Sequence, residues 1–382
     1  MIEFFFFLMN FLLPFLVILT VLVFVHEMGH YLAARACGIR VEVFSVGFGR
    51  EIAGWTDRLG TRWRLGLIPF GGYVKMFGEM VAVKRDTGPS DPNNGMTPDE
   101  KAVAFNTKSL GQRAFVVAAG PFANFVLAIG ILSGIFMSVG QPFTPADVGS
   151  VMPGKAADRA GFKPGDVIVA IDGSPIERFQ EVVRIVRLFP GVPLEFTVER
   201  NGLEINLQAT PDIIDQEGRF GHERYGRLGI SRSGLDRKLV QHGPFTAVWR
   251  ATEETYVLTG SILSAIGQIL NGTRTTKEIG GPIRIAQMSG DVWKTGFVSV
   301  LMLMTILSIN LGLINLFPVP MLDGGHLMFY AIEALCGRPL GERAQENGIR
   351  IGFAMVLALM VFATWNDLVQ LRAVDFFVKL VT

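Results

Sequence analysis

His26-Glu27-Met28-Gly29-His30 sets two imidazoles four residues apart with a carboxylate between them. On a helix, positions i and i+4 share one face, so both imidazoles can take one zinc ion. Glu27 then lies close enough to accept a proton from a water on that metal. Zinc lowers the pKa of such a water towards roughly 7, which makes hydroxide available for attack on a peptide carbonyl. The alternative is a pair of histidines satisfied by neighbouring carbonyls. The five residues stand within an apolar run, however, where insertion scales assign on the order of 2–3 kcal/mol to each charged group, so they need partners there.

A catalytic zinc takes three protein ligands and keeps one position open. The third is expected from another apolar segment at similar depth. The run Asn315-Leu-Phe-Pro318-Val-Pro320-Met-Leu-Asp323-Gly324-Gly325-His326 supplies the best candidate, Asp323, with His326 as its rival. Pro318 and Pro320 break a helix, and the glycines let backbone come close to another element. A carboxylate at a broken helix end in apolar surroundings is costly unless a cation sits nearby; the competing reading is an Asp that caps a helix beginning near Leu327.

The elements that must position these residues lie in a membrane. Of the 382 residues, 49% are hydrophobic and only 18% charged, and the mean hydropathy is +0.39. Such a composition excludes a disordered chain and argues against an ordinary soluble enzyme. A net charge of +1 gives no overall field that would recruit nucleic acid, and two cysteines, Cys37 and Cys336, make no disulfide framework. Four stretches are long enough to span a bilayer: Phe4 to Val25 continuing to Ala34, Ala114–Val139, Phe297 to about Phe317, and Ile351 to about Trp365. The first lacks a basic leading region and a small-residue cleavage site, so it reads as a retained anchor. Twelve Lys/Arg lie from Arg35 to Arg113, and none precedes the first span. The positive-inside tendency puts that loop in the cytoplasm and both chain ends outside.

Outside, from about Ala146 to Thr210, the pattern changes to short runs with regular turns. Val167–Ile171 predicts a strand closed by Asp172-Gly173, Glu177–Leu188 a short helix, and Leu194–Arg200 with Leu203–Ala209 a hairpin turned at Asn201-Gly202. Gly161-Phe-Lys-Pro-Gly165-Asp166-Val-Ile, followed by Ile171-Asp-Gly173, resembles the bacterial PDZ domain, which binds extended peptides or chain ends by strand addition. Leu228-Gly229-Ile230 is a candidate for its ligand-facing loop. Inside, Val41–Phe48 and Arg62–Met76 alternate in polarity and predict strands or a curved hairpin against the membrane face, and Lys84 to Glu100 predicts a flexible excursion. Phe245–Leu270 predicts an amphipathic helix leading to the third span.

Taken in order, these motifs resemble the site-2 proteases, intramembrane zinc metalloproteases, in their bacterial RseP-type branch. The resemblance covers nearly the whole chain: His26–His30, the loop Gly71-Gly72-Tyr73-Val74-Lys75-Met76, Gly120-Pro121-Phe122-Ala123-Asn124-Phe125, the PDZ segment, Gly280-Gly281-Pro282-Ile283 and Asn315–Asp323. It implies His26, His30 and Asp323 as ligands of one catalytic Zn²⁺, Glu27 as the catalytic glutamate, and Asn124 and Asn315 as substrate-contacting or site-lining residues; the glycine-rich hairpin, with Gly71 and Gly72, is expected to bind an unwound substrate segment by strand addition. The implied fold is a polytopic α-helical membrane protein of four transmembrane helices, with an inserted β-rich PDZ domain and a membrane-associated β-hairpin loop.

Its expected layout runs through 1–36 (first span), 37–113 (cytoplasmic loop with glycine-rich hairpin), 114–140 (second span), 141–212 (PDZ domain), 213–296 (linker and amphipathic helix), 297–336 (third span) and 337–382 (loop, fourth span and tail). The implied activity is hydrolysis within or beside a transmembrane segment of a membrane protein already cut by an outside protease, such as an anti-sigma factor or remnant signal peptide, in a bacterial inner membrane. A peptide or chain end at the PDZ domain and the lipid bilayer complete the expected partners, with no nucleic acid. Some members carry two tandem PDZ domains; this chain has room for one. A non-catalytic scaffold would not require the His-Glu-His plus Asp set, and a zinc transporter needs a polar path across the membrane, whereas here the ionisable residues cluster at one depth.

Overall fold

In chain order the longer elements are α1 (Leu13–Ala36), β1 (Val41–Thr56), β2 (Arg62–Met76), α2 (Leu110–Ser138), β3 (Gln141–Phe143), β4 (Val148–Val151), β5 (Val167–Ile171), β6 (Ser174–Pro175), α3 (Phe179–Leu188) and β7 (Leu194–Arg200). There follow β8 (Leu203–Ala209), β9 (Asp212–Gly218), β10 (Gly221–Arg227), β11 (Ile230–Arg232), β12 (Lys238–Val240), α4 (Pro244–Leu270), α5 (Pro282–Thr295), α6 (Phe297–Leu316), α7 (Asp323–Cys336) and α8 (Glu342–Gln370). The structure, a computed structural model, describes residues 8–79, 96–218, 221–232, 238–272, 280–338 and 340–370. Most of the expected excursion from Lys84, and the start of the first span at Phe4, lie outside the described residues. Two compact units form, one from the chain up to Leu132 with Gly281–Thr364, the other from Ser133–Gly280 with the residues from Trp365.

Four helices are long and apolar enough to cross a bilayer, over Met9–Ala36, Leu110–Ser138, Phe297–Leu316 and Arg343–Val369. The last starts well before the expected Ile351. Its polar first turns hold helix through good helix formers, with Arg350 paired to Glu346 one turn back at 2.6 Å. α6 stops at Leu316 because the residue before Pro318 is driven out of the helical region; Phe317 has ψ 142°. Within the first unit the helices approach through small residues. A Cβ on Gly29 would meet Ala123, and Gly312 lies against the backbone oxygen of Pro121. Ile18 and Leu22 of α1 pack with Val300 and Leu303 of α6. α5 was not expected from the sequence. Its Gly290 lies against Asn10 and Phe11; Ala286, Ser289 and Gly290 are buried, and the partly buried Met288 and Val292 pack against the cluster of Ile18, Leu22, Val300 and Leu303.

β1 runs eight residues beyond the expected end at Phe48 and pairs antiparallel with β2. Val43–Val46 has partners on both sides: Gly72–Lys75 running opposite to it, and Arg62–Leu65, whose numbers rise along with it. Arg62–Leu65 pairs in turn with Ala53–Thr56. The hairpin is thus folded over on itself, with Gly72–Met76 at one margin and Ala53–Thr56 at the other. Phe44, Val41 and Val74 are buried against Tyr31, Ala34 and Val116, which fixes the root of the sheet on α1 and α2. Farther out, Ile52, Trp55, Leu59 and Leu67 are all exposed.

In the second unit, strands run in the order β6-β5-β7-β8 over a core that includes Val148, Phe162, Ile168, Val186, Phe196 and Val198, with α3 on it. The β7–β8 turn has φ of 55° at Asn201 and 79° at Gly202, the twist that a two-residue hairpin needs. Pairing continues past the expected end of this segment: β11 pairs with β4 and β12 with β3, so residues up to Val240 join it, and Leu228 enters the core. This sheet with α3 packed on it has the PDZ-like arrangement expected of the segment, and the chain is a polytopic α-helical membrane protein that carries it. The helix expected over Phe245–Leu270 is α4. Ala247, Ala251 and Thr255 are buried, whereas Phe245, Trp249, Tyr256, Leu263 and Leu270 are exposed. Glu254 of α4 takes both Arg178 and Arg184, which ties α4 to α3.

Asp166 is fully buried in this domain. Burial alone would raise its carboxyl, but Arg200, at 2.6 and 2.7 Å, and the Lys163 N–H hold it below the usual carboxylate range. A depressed carboxyl contributes stability above its unfolded pKa of about 3.9, and that stability is lost as pH falls through the folded value. Arg200→Met, which strands the buried carboxylate, is expected to destabilise the domain by about 3–5 kcal/mol at pH 7 and by progressively less below about pH 4. Thermal melting of the purified chain followed by proteolysis between residues 141 and 240 measures this; a pH-independent difference would refute the assignment.

Candidate metal centre

α1 carries His26 and His30 in its C-terminal half, both buried, with ring centroids 4.9 Å apart. Their Nε2 atoms face one another at 3.3 Å. Asp323 Oδ2 completes a triangle, 3.2 Å from His26 Nε2 and 3.5 Å from His30 Nε2. Among the described residues these three form the group of ligating side chains that could hold a metal ion. Asp323 Oδ2 is buried with no hydrogen-bond partner, and His30 Nδ1 lies 2.9 Å from the Val116 carbonyl, to which it donates. His30 therefore presents its Nε2 lone pair to the centre. Three lone-pair donors converging without a proton between them repel unless a cation joins them. Tetrahedral zinc with ligand bonds of about 2.0–2.1 Å requires ligand atoms about 3.3 Å from one another, which is the spacing observed, so these residues fit that ion.

Asp323 is brought there by the break between α6 and α7. It is the first residue of α7, and Val319, Met321 and Leu322 form a tight crossing in which Leu322 N–H bonds to Val319 O at 3.0 Å and Met321 has φ 103°. A non-glycine residue at that φ is strained by about 1–3 kcal/mol and persists only when its surroundings enforce it. They do. Gly324 lies against the carbonyls of Leu316 and Phe317, and Gly325 against that of Val319. Gly348 and Gly352 of α8 rest on Pro320, a four-residue spacing that puts both on one helix face. At the far end of α7, Arg113 of α2 grips Glu333 with two bonds of 2.6 and 3.2 Å and stacks over Tyr330.

The remaining expected site residues fall as follows. Glu27 is half-buried and turns to β2: a Cβ on Gly72 would lie 3.0 Å from Glu27 Cγ and 2.7 Å from Ser45 O. Gly71 has φ 112° and lies on the Phe48 ring. Asn315 is half-buried in the last turn of α6. Asn124, expected as a substrate-contacting or site-lining residue, has a fully buried side chain with Nδ2 3.1 Å from His26 Nδ1, and its backbone oxygen accepts from Ser308. The reason is that α2 packs directly behind the histidines, so the inward face of α2 is used up in holding them. His326, the rival ligand, lies one turn along α7 against the Phe329 ring.

Two residues near the centre went unread in the sequence. Glu79, whose Oε2 accepts the Met76 N–H at 3.2 Å, is pushed up by burial, and His30 and Asp323 both act on it electrostatically. No spacing marked it. Gly120 was part of a recognised motif without a role. A Cβ there would fall on the His30 imidazole, so only glycine leaves room for the ring. Gly120→Ala is expected to weaken retention of a divalent ion by about tenfold or more against a chelator, by analogy with loss of groups that orient a ligand. Gly111→Ala, at a position with open space around it, serves as the control. Metal analysis of the two purified variants decides, and equal retention would show that His30 does not depend on this space.

Comparison with known proteins gives a family. Residues 14–359 match Peptidase family M50. A relative from Agrobacterium fabrum, named "Putative zinc metalloprotease Atu1380", is 45% identical over 96% of this chain and 97% of its own. The metalloprotease MmpA of Caulobacter vibrioides is 38% identical over 94% of this chain and 95% of its own. For the regulator of sigma-E protease RseP of Salmonella typhimurium the identity is 32%, over 94% and 98%. A crystal structure of the PDZ domain of an SdrC-like protein from Listeria innocua matches 25% of this chain and 99% of that one at 20% identity, with a TM-score of 0.21. With the whole span from α1 to α8 aligned and the ligand triangle in place, the chain belongs to peptidase family M50.

Proposed function

We propose that this chain, a membrane-embedded zinc metalloprotease of its family, hydrolyses peptide bonds within or beside transmembrane segments, with His26, His30 and Asp323 as zinc ligands and Glu27 as general base. The observation that carries the reading is the triangle of ligand atoms at 3.2, 3.3 and 3.5 Å, drawn from two helices that meet only through folding. Zinc held there supplies a Lewis acid that polarises the scissile carbonyl and makes a water acidic. Glu27 takes the water's proton and passes it to the leaving amine. A helical substrate hides its carbonyls in i to i−4 bonds, so it must first be unwound. Gly72–Met76 lies at the margin of the folded hairpin, and Gly72 touches Glu27, which supports pairing of the unwound segment with this strand through Gly71 and Gly72. Asn315 serves to hold backbone groups freed by that unwinding.

The orientation follows from the basic residues between the first two spans: hairpin and active site towards the cytoplasm, PDZ domain and both chain ends outside, in a bacterial inner membrane. The PDZ groove lies between α3 and the segment Leu228–Ile230, with Val182, Val183 and Val186 on one wall. It would take the end of a chain already cut outside, or exclude intact chains. The name of the Salmonella relative, a regulator of sigma-E protease, favours an anti-sigma factor as one such substrate.

Cleavage of a reporter transmembrane substrate by purified protein tests the proposal. Glu27→Gln is expected to lower the rate by roughly 10²–10⁴-fold with zinc retained, whereas His26→Ala loses both zinc and activity. Cleavage by Glu27→Gln at the wild-type rate would sink it.

A further inference from the structure

The side chain behind His26 has a use that the reading above leaves open. Zinc can be held by Nε2 of His26 only if the ring proton sits on Nδ1, and that proton then needs an acceptor in the protein. For His30 the Val116 carbonyl plays this part at 2.9 Å. For His26 the group in reach of Nδ1 is the amide of Asn124, at 3.1 Å. With the amide nitrogen facing the ring, it would donate to Nδ1 and force the imidazole proton onto Nε2, towards His30 Nε2 and Asp323 Oδ2. In the same orientation Asn124 Oδ1 is buried with no hydrogen-bond partner. A half-turn of the amide exchanges oxygen and nitrogen at no cost in shape. Oδ1 then accepts the Nδ1–H of His26, and the Nε2 lone pair points into the ligand triangle.

We propose that Asn124 is a positioning residue that fixes the tautomer of His26 through its amide oxygen and thereby sets the affinity for zinc. The inference rests on His26 being a zinc ligand. Asn124 is suited to the task by its surroundings. It is fully buried, its helix is held to α6 by the Ser308 hydroxyl donating to its backbone oxygen at 2.8 Å, and Gly312 opposite lets the two helices close on it. A side chain so enclosed does not touch substrate, so its loss should appear in metal binding before it appears in KM.

The test is zinc competition with a chromophoric chelator on the purified full chain in a Glu27→Gln background, which removes self-cleavage and makes the readout independent of activity. Asn124→Ala is expected to weaken zinc by about 10–100-fold, as removal of a histidine's supporting acceptor does elsewhere. Asn124→Asp, which offers only acceptors, is expected to retain wild-type affinity or exceed it. The visible absorption of the Co²⁺-loaded Asn124→Asp protein should match that of the parent. Wild-type affinity in Asn124→Ala, or loss of zinc in a folded Asn124→Asp, overturns the assignment. Should Asn124→Ala fail to fold, Asn124→Asp decides alone, because a donating amide and an accepting one predict opposite results for it. A parent protein that binds no zinc would instead refute the ligand set itself.

Discussion

Three electron-pair donors held within about 3.5 Å of one another, inside protein and with lipid around it, dominate the energetics of this molecule. Left to themselves they would part, since buried lone pairs that face each other lose hydration and gain nothing. The chain keeps them together with rigid neighbours: a histidine pair locked by the period of α1, and a carboxylate locked by a helix break. The strained Met321 and the glycines packed around it show the same arrangement from the other side, because a strained crossing survives only where its surroundings leave no alternative.

Close approach is obtained chiefly by omission of side chains. Without a hydrophobic force between helices in lipid, contact depends on fit, and small residues give it. Gly29, Gly120 and Gly312 bring α1, α2 and α6 together round the histidines, while Gly348 and Gly352 seat α8 on Pro320. These positions admit a neighbouring backbone or, at Gly120 and Gly348, the ring of His30 or Phe329, so they contribute geometry to the centre without contributing a functional group.

The parts of the fold legible in the sequence were those with a local cause. The i, i+4 histidines depend only on helix period, Asp323 on a proline break, and the β7–β8 hairpin on Asn201-Gly202, whose φ values are those that the turn needs. What could not be read depends on partners distant in sequence. α5 buries the small Ala286, Ser289 and Gly290 most deeply, and the apolar Met288 and Val292 beside them are too few to mark a helix from the sequence alone. β1 continues past Phe48 because Arg62–Leu65 returns to pair with it, and β11 and β12 close on strands some ninety residues earlier. Asn124 illustrates the limit most clearly: its motif was recognised, but whether it faces a substrate or a histidine is decided by which helix lies behind it.

The ligands arrive on segments separated by about 290 residues of chain. At synthesis rates of 5–20 residues per second, the N-terminal histidine pair emerges roughly 15–60 s before the carboxylate that completes the set. With the ligand set proposed above, a nascent copy has no complete site until the helix break behind α6 has been made. On that ligand set, the order of the chain delays completion of the site until most of the polypeptide has been made.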